Sequence, residues 1–231
     1  MMYKIIKRLF DIICSGVALI LASPIFLVVV IGIKASSPGP LLYISKRVGL
    51  NGKLFTMYKF RSMHVKAAGA VENKYLVNND RIFKFGSFLR KSKLDELPQL
   101  LNVFLGDMSF VGPRPYPQSV VDRLYTREAA AVLSVRPGLA CLDSLYDYAH
   151  GDLFVTDAKE YAEKVLPVRT ELAKLYVERK SVALDIHCIL RTVQLIFQIA
   201  VQKKSFPLTR YEKIAVERIG VTSETAVAQN A

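Results

Sequence analysis

The chain has 231 residues, with 32 Lys and Arg against 20 Asp and Glu, a formal net charge of +12. That length supports one sizeable core with appendages, and a basic chain with positive mean hydropathy points to an anionic membrane surface. No helix-turn-helix signal, zinc-ligand spacing or aromatic RNA-binding motif supports nucleic acid as partner; Cys14, Cys141 and Cys188 are too few and too scattered for a disulfide framework and fit a reducing compartment, and His64, His150 and His187 form no metal-ligand cluster.

Lys4, Lys7, Arg8 and Asp11 precede a mostly apolar run from Ile12 to Ile33, about long enough to cross a hydrocarbon core. The run continues past Ala22-Ser23-Pro24, which sets it apart from a signal peptide's shorter apolar core. Pro24 removes an intrahelical hydrogen bond, and the Ser23 hydroxyl can satisfy the freed carbonyl. Two outcomes suit this pair: a kinked spanning helix, or a re-entrant helix hairpin in one leaflet. The hairpin keeps Lys7 and Arg8, as anchors at the membrane interface, on the same side as everything after Lys34. The chain accordingly divides into a membrane segment (1–36), a body (37–204) and a partly disordered tail (205–231).

Ser37-Pro38-Gly39-Pro40 opens the body. Leu41 to Ile44 and Lys53 to Tyr58, separated by Asn51-Gly52, predict a β-hairpin. It leads into Lys59-Phe60-Arg61, whose cations suit either a strand end with surface charges or a phosphate contact. The stretch from His64 to Asn79 reads as a loop or short helix; Phe83, Phe85, Phe88 and Leu89 follow as an apolar set that suits the core or a membrane interface.

The centre of the chain is Leu94 to Pro115, LDELPQLLNVFLGDMSFVGPRP. Leu97, Leu100, Leu101, Phe104 and Leu105 recur at helical spacing, Gly106 supplies a stop, and Pro98 belongs in the first turn. Asp95 and Glu96 therefore sit at a helix start, an anion-favouring position. Arg90, Lys91 and Lys93 before the pair and Arg114 after it add to that pull. The dyad reads as a phosphate-handling site with an acidic nucleophile, although a solvated cap with surface charges has the same local pattern.

Val120 to Val135 predicts an amphipathic helix ended by Arg136-Pro137-Gly138. Leu139 to Val155, with Asp143, Asp147, His150 and Asp152 among aromatics, suits a substrate pocket or an ordinary loop. Further helices are expected from Ala158 to about Lys180, broken or kinked at Pro167, and from Val182 to Val201. Asp185, His187 and Arg191 make the last one a poor spanning helix, and an amphipathic helix on the membrane or closing the core fits better. The fold class is thus predominantly α with a small β-hairpin: a re-entrant membrane helix, a cytoplasmic catalytic domain and amphipathic interfacial helices.

Taken together these residues resemble the bacterial sugar transferase family, the monotopic phosphoglycosyl transferases, from about Lys7 to Thr192. The resemblance rests on Lys7-Arg8 with Asp11, Ser23-Pro24, Ser37 to Pro40, Arg47-Val48-Gly49, Lys59 to Met63, Leu89-Arg90, Leu94 to Leu100, Asn102, Gly106 to Ser109, and Val111-Gly112-Pro113-Arg114-Pro115. It implies a bacterial inner-membrane enzyme with its catalytic domain on the cytoplasmic face, using Mg²⁺ held at Asp95. In such proteins the aspartate matching Asp95 attacks the β-phosphorus of a nucleoside diphosphate sugar, usually a UDP-sugar. Polyprenyl phosphate then takes the phosphosugar. Glu96 would assist the acceptor, Arg114 with the adjacent Pro113 would hold phosphate, Arg90 would support the dyad, and Asp185 would be a structural or active-site acid. Membrane phospholipids are implied as partners, and homo-oligomerisation is left open. A non-catalytic scaffold of glycan assembly would share the fold but not depend on Asp95. One departure stands out: after Arg136-Pro137-Gly138 relatives continue with Thr-Gly, Gln-Val and Gly-Arg, whereas this chain has Leu139-Ala140-Cys141-Leu142-Asp143-Ser144.

Overall fold

The apolar N-terminal run forms one helix, α1 (Met2–Ser36), in the computed structural model, which describes residues 2–65, 81–125, 129–151, 160–201 and 205–220. Ser23-Pro24 lies inside this helix. Pro24 has no N–H for the Ile20 carbonyl, but Ser23 Oγ donates to that oxygen at 2.7 Å, so the helix runs on. Its buried residues, Asp11, Ser15, Ala22, Val29 and Ile33, are spaced by fours and sevens and form a single seam against the body. Ile13, Ile20, Leu21, Val28 and Ile31 on its other sides are exposed.

The predicted hairpin is present and longer than expected. β1 (Leu42–Val48) and β2 (Leu54–Phe60) pair antiparallel, from Leu42 opposite Phe60 to Val48 opposite Leu54. Asn51 and Gly52 occupy the turn at φ of 55° and 76°, the left-handed region that this residue pair tolerates. Phe55 and Met57 pack on Val103 and Met108. Phe60 joins Val29, Ile33, Phe83 and Leu89, so two members of the aromatic set enter the core while Phe88 stays exposed. These residues flank α2 (Lys84–Lys91) and α3 (Gln99–Leu105), which Gly106 terminates at φ 95°.

A second sheet was not legible. β3 (Ser109–Val111) and β4 (Gly138–Ala140) are parallel, with Ser109 opposite Gly138 and Val111 opposite Ala140. At their ends the backbones converge so tightly that a Cβ on Gly138 would lie 2.2 Å from Gly112 N. The helix expected over Val120 to Val135 is two shorter pieces, α4 (Gln118–Leu124) and a 3₁₀ segment Ala129–Ser134.

The stretch from Leu139 to Gly151 is not an ordinary loop, and Leu142, Leu145 and Ala149 line a small cavity. The stretch completes β4 and forms α5 (Leu142–His150), every residue of which is buried. Around it lie α6 (Leu166–Arg179), entered through a π-helical turn at Tyr161–Val165 with Pro167 in its first turn, and α7 (Val182–Ala200). Tyr146, Leu172, Tyr176, Cys188 and Leu195 fill the space between them. The segment after Ser205, read as a polar tail, also belongs to this core. Phe206, Ala215 and Val216 pack into it, and α8 (Arg210–Arg218) starts at a reciprocal capping box between Thr209 and Glu212. Asp152, residues 66–80, within the stretch expected as a loop or short helix, and the last eleven residues lie outside the described residues.

Candidate active site

The dyad occupies a single 3₁₀ turn, Leu94–Glu96, just ahead of α3, whose N-cap is Pro98. Lys93 precedes it at φ 57°. A lysine in the left-handed region is uncommon, and here it reverses the chain between α2 and the dyad. The Lys93 ammonium sits 4.3 Å from the centre of the Tyr148 ring, close enough for a cation–π contact.

Glu96 is held from two directions. Lys59, carried by the last turn of strand β2, donates to its Oε1 at 2.7 Å, and Arg114 Nη2 lies 3.5 Å from the same oxygen. Arg114 is placed by the β3–β4 junction: Gly112 N donates to Ala140 O, Gly138 N donates to Pro113 O, and Arg114 N donates to Asp143 Oδ2. Burial pushes the Glu96 carboxyl upward, but Lys59, Arg114 and Lys93 together outweigh it and hold Glu96 well below the usual carboxylate range. Burial likewise works against the Arg114 charge, and Glu96 more than offsets it, so the guanidinium is held firmly protonated.

Asp95 is in a different state. It is 8% exposed, and its Oδ1 is buried with no hydrogen-bond partner. Burial raises its carboxyl above the ordinary range; Lys59 opposes this, Glu96 adds to it, and Lys93 and Arg90 oppose it further. Leaving a buried carboxylate oxygen unmatched is costly, and such a group seeks a cation or an electrophile. Two carboxylates stand among Lys59, Arg90, Lys93 and Arg114, a surplus of positive charge suited to a ligand with several negative oxygens.

The structure therefore brings together Lys59, Arg90, Asp95, Glu96 and Arg114, with Pro113 serving through its carbonyl. It gives Arg61 another task. That guanidinium is buried and donates to Pro40 O at 2.6 Å and to Ser37 Oγ and O at 2.8 Å each, fixing the turn after α1 rather than facing a phosphate. Asp185 accepts from Lys7 at 2.6 Å, Tyr3 at 2.9 Å and Tyr176 at 2.7 Å, tying α1, α6 and α7 together. Arg8 donates to the carbonyls of Val103 and Phe104 at the end of α3, so Lys7 and Arg8 both make protein contacts. Ser23 and Pro24 remain in the middle of α1.

Other motif residues act as joints. Asp11 Oδ1 accepts from Ser109 Oγ and Phe110 N at 3.0 Å each. Asn102 donates to Thr56 O at 2.7 Å and accepts from Tyr58 N at 3.2 Å, locking α3 to the hairpin that carries Lys59. Tyr148 was not singled out from the sequence, because nothing local distinguishes it from the other tyrosines of α5.

Among the described residues no three His, Cys, Asp or Glu side chains form a metal cage. The orphaned Asp95 oxygen nevertheless fits Mg²⁺, which commonly takes one or two carboxylates and completes its shell with substrate phosphates and water.

Comparison with known proteins gives the family. A family model described as bacterial sugar transferase matches residues 2–199. The UDP-glucose:undecaprenyl-phosphate glucose-1-phosphate transferase of Klebsiella pneumoniae is 39% identical over 191 residues, covering 82% of this chain and 39% of that protein. The protein of the same name from Caulobacter vibrioides is 35% identical over 189 residues, 81% of this chain and 68% of its own length. The UDP-N-acetylgalactosamine-undecaprenyl-phosphate N-acetylgalactosaminephosphotransferase of Aeromonas hydrophila is 34% identical over 200 residues, 84% of this chain and 44% of that protein. The chain thus spans about two fifths of the Klebsiella relative.

Proposed function

Because the chain belongs to the bacterial sugar transferase family, we propose that it transfers a sugar 1-phosphate from a nucleoside diphosphate sugar, a UDP-sugar, to undecaprenyl or a similar polyprenyl phosphate. The observation that carries the reading is the Asp95 carboxylate: buried, unmatched at Oδ1 and set among four cations. An Asp95 oxygen attacks the β-phosphorus of the donor, the bond from that phosphorus to the bridging oxygen breaks, and UMP leaves. The phosphosugar is then held as an acyl phosphate. An oxygen of polyprenyl phosphate attacks the same phosphorus, and the Asp95 carboxylate is restored.

Lys59 and Arg114 neutralise the donor's phosphate oxygens, which draws them partly away from Glu96. Attack by one anion on another needs that neutralisation. Glu96, released from part of its pairing, orients the acceptor phosphate. Asp95 would hold Mg²⁺ together with the donor phosphates, and the ion when bound supplies additional charge neutralisation.

Membrane attachment follows from α1. It exposes apolar side chains along its length, and both ends pack on the same body: Tyr3 and Lys7 at Asp185, Val29 and Ile33 beside Phe60 and Leu89. Shared contacts at both ends support the re-entrant reading, with α1 embedded from the cytoplasmic face. On α7, Ile186, Leu190, Val193 and Phe197 are exposed at helical spacing, which supports an interfacial role. Incubating the chain with UDP-sugars in the absence of acceptor tests the proposal. An intact-mass increase of one phosphosugar, absent from Asp95→Asn, is expected; an equal adduct on the variant would refute Asp95 as nucleophile.

A further inference from the structure

Away from the dyad, the first two turns of α1 wall a cavity of about 100 Å³, room for several waters or one tetrahedral oxyanion. Five cations line it, Lys4, Lys7, Arg8, Arg136 and Lys180, against the single carboxylate of Asp11. Asp11 is occupied by Ser109 and Phe110 N. Among the described residues only Lys7 of the five has a carboxylate partner, Asp185 at 2.6 Å. Arg8 and Arg136 are instead fastened to carbonyl oxygens where α3 ends, at Val103, Phe104 and Gly106, and Lys180 to Val177 O. Those contacts fix Arg8, Arg136 and Lys180 in place, and Asp11, which also feels Lys7 and Arg8, leaves the cavity with an excess of positive charge.

We propose that this cavity is a phosphate-binding site separate from the Asp95 centre, and that it takes the phosphate of an anionic lipid headgroup. Guanidinium groups already held by carbonyls are preorganised for a phosphate, and Lys4 and Lys180 also line the cavity. The lipid source follows from the helix itself. The turns that supply Tyr3, Lys4 and Lys7 to the cavity expose Ile5, Ile6, Leu9 and Phe10 elsewhere on their surface, so the cavity lies where polar helix passes into apolar helix, the depth of headgroup phosphates. This choice of lipid over free phosphate rests on the membrane reading above; the oxyanion site itself does not.

Native mass spectrometry of the full chain released from detergent tests it, with dioleoyl phosphatidylglycerol, dioleoyl phosphatidylcholine and inorganic phosphate as separate probes. One phosphatidylglycerol should be retained in preference to phosphatidylcholine, whose choline the cations oppose. Lys4→Gln combined with Lys180→Gln should weaken it by about tenfold or more, while Lys59→Gln at the dyad should leave it unchanged. Inorganic phosphate bound with the same variant sensitivity would support the oxyanion site with a soluble source. Equal retention by the double variant, or no preference over phosphatidylcholine, would overturn the proposal. Leu50→Trp gives a second readout: Leu50 lines the cavity and the chain has no other tryptophan, so its fluorescence should respond saturably to phosphatidylglycerol. Neither measurement depends on sugar transfer, so each can fail while the catalytic reading stands.

Discussion

Two groups of charges lie close together and behave in opposite ways. At the dyad, Asp95 and Glu96 meet a surplus of cations, and one oxygen is unmatched. In the adjoining core, Arg169 is 3% exposed and shared between Asp147, at 3.0 Å, and Asp143, at 3.8 Å. Tyr161 donates to Asp147 at 2.7 Å and also touches Arg169, while the Tyr116 ring lies 5.6 Å from the guanidinium. Burial raises Asp143 and Arg169 opposes it, whereas at Arg169 the surrounding carboxylates and tyrosines more than offset burial. The core cluster has unmatched atoms too, because Asp143 Oδ1 and Arg169 Nε and Nη2 are buried without hydrogen-bond partners. What separates the two is charge balance: two carboxylates enclose one guanidinium in the closed cluster, whereas four cations surround two carboxylates at the open one.

If that contrast is right, disabling the closed cluster should damage folding and disabling the open one should damage turnover. Arg169→Leu strands Asp143 and Asp147 and should cost about 3–5 kcal/mol of stability, read as a large drop in the unfolding midpoint in detergent. Glu96→Gln should reduce sugar-phosphate transfer to the acceptor by roughly 10²–10³-fold, yet lower the unfolding midpoint less than Arg169→Leu does, because Lys59 and Arg114 keep some access to solvent. A large loss of stability there would collapse the distinction.

A third variant probes the buried end of α5. Burial lowers His150 from the ordinary 6.5 to about 4, so it is neutral in the fold. The unfolded chain takes up its proton first as pH falls. Stability contributed by the neutral state is therefore present above pH 6.5 and is lost on acidification from 6.5 towards 4, by about 3 kcal/mol. His150→Asn should flatten that part of the pH profile of unfolding. The smallest effect is expected at Arg61→Lys, which shortens the contacts to Ser37 and Pro40: about 1 kcal/mol of stability, with the donor KM unchanged. A raised KM would return Arg61 to the phosphate site.

The open site was far more legible in the sequence than the closed one. Pro98, Gly106 and the adjacent carboxylates mark the dyad's position through local backbone rules, and Asn51-Gly52 does the same for the hairpin. The cluster offered no such marker. Asp143, Ser144, Asp147 and His150 make α5 look like a polar loop, because the residues that make its burial tolerable, Arg169 and Tyr161, come from the following helical segment. Arg61 misled for the same reason: a cation beside the site in sequence turned towards Ser37, which only the fold brings near. The capping box at Thr209 and Glu212 was readable, and overlooking it made α8 part of a tail. The substituted segment from Leu139 to Ser144 now has a physical account. Asp143 receives Arg114 N and Tyr148, on the same helix, carries the ring beside Lys93, so α5 supports Arg114 and Lys93 beside the dyad from the core.

The most direct measurement is release of nucleoside monophosphate from a panel of UDP-sugars, with Mg²⁺ and polyprenyl phosphate, comparing the native chain with Asp95→Asn in native-like lipid. Release by the native chain and its loss in the variant are predicted, and the productive donor would identify the sugar. Release that persists in Asp95→Asn, or none from any donor by folded native chain, would contradict the assignment of the open charge cluster as a phosphoglycosyl transfer site.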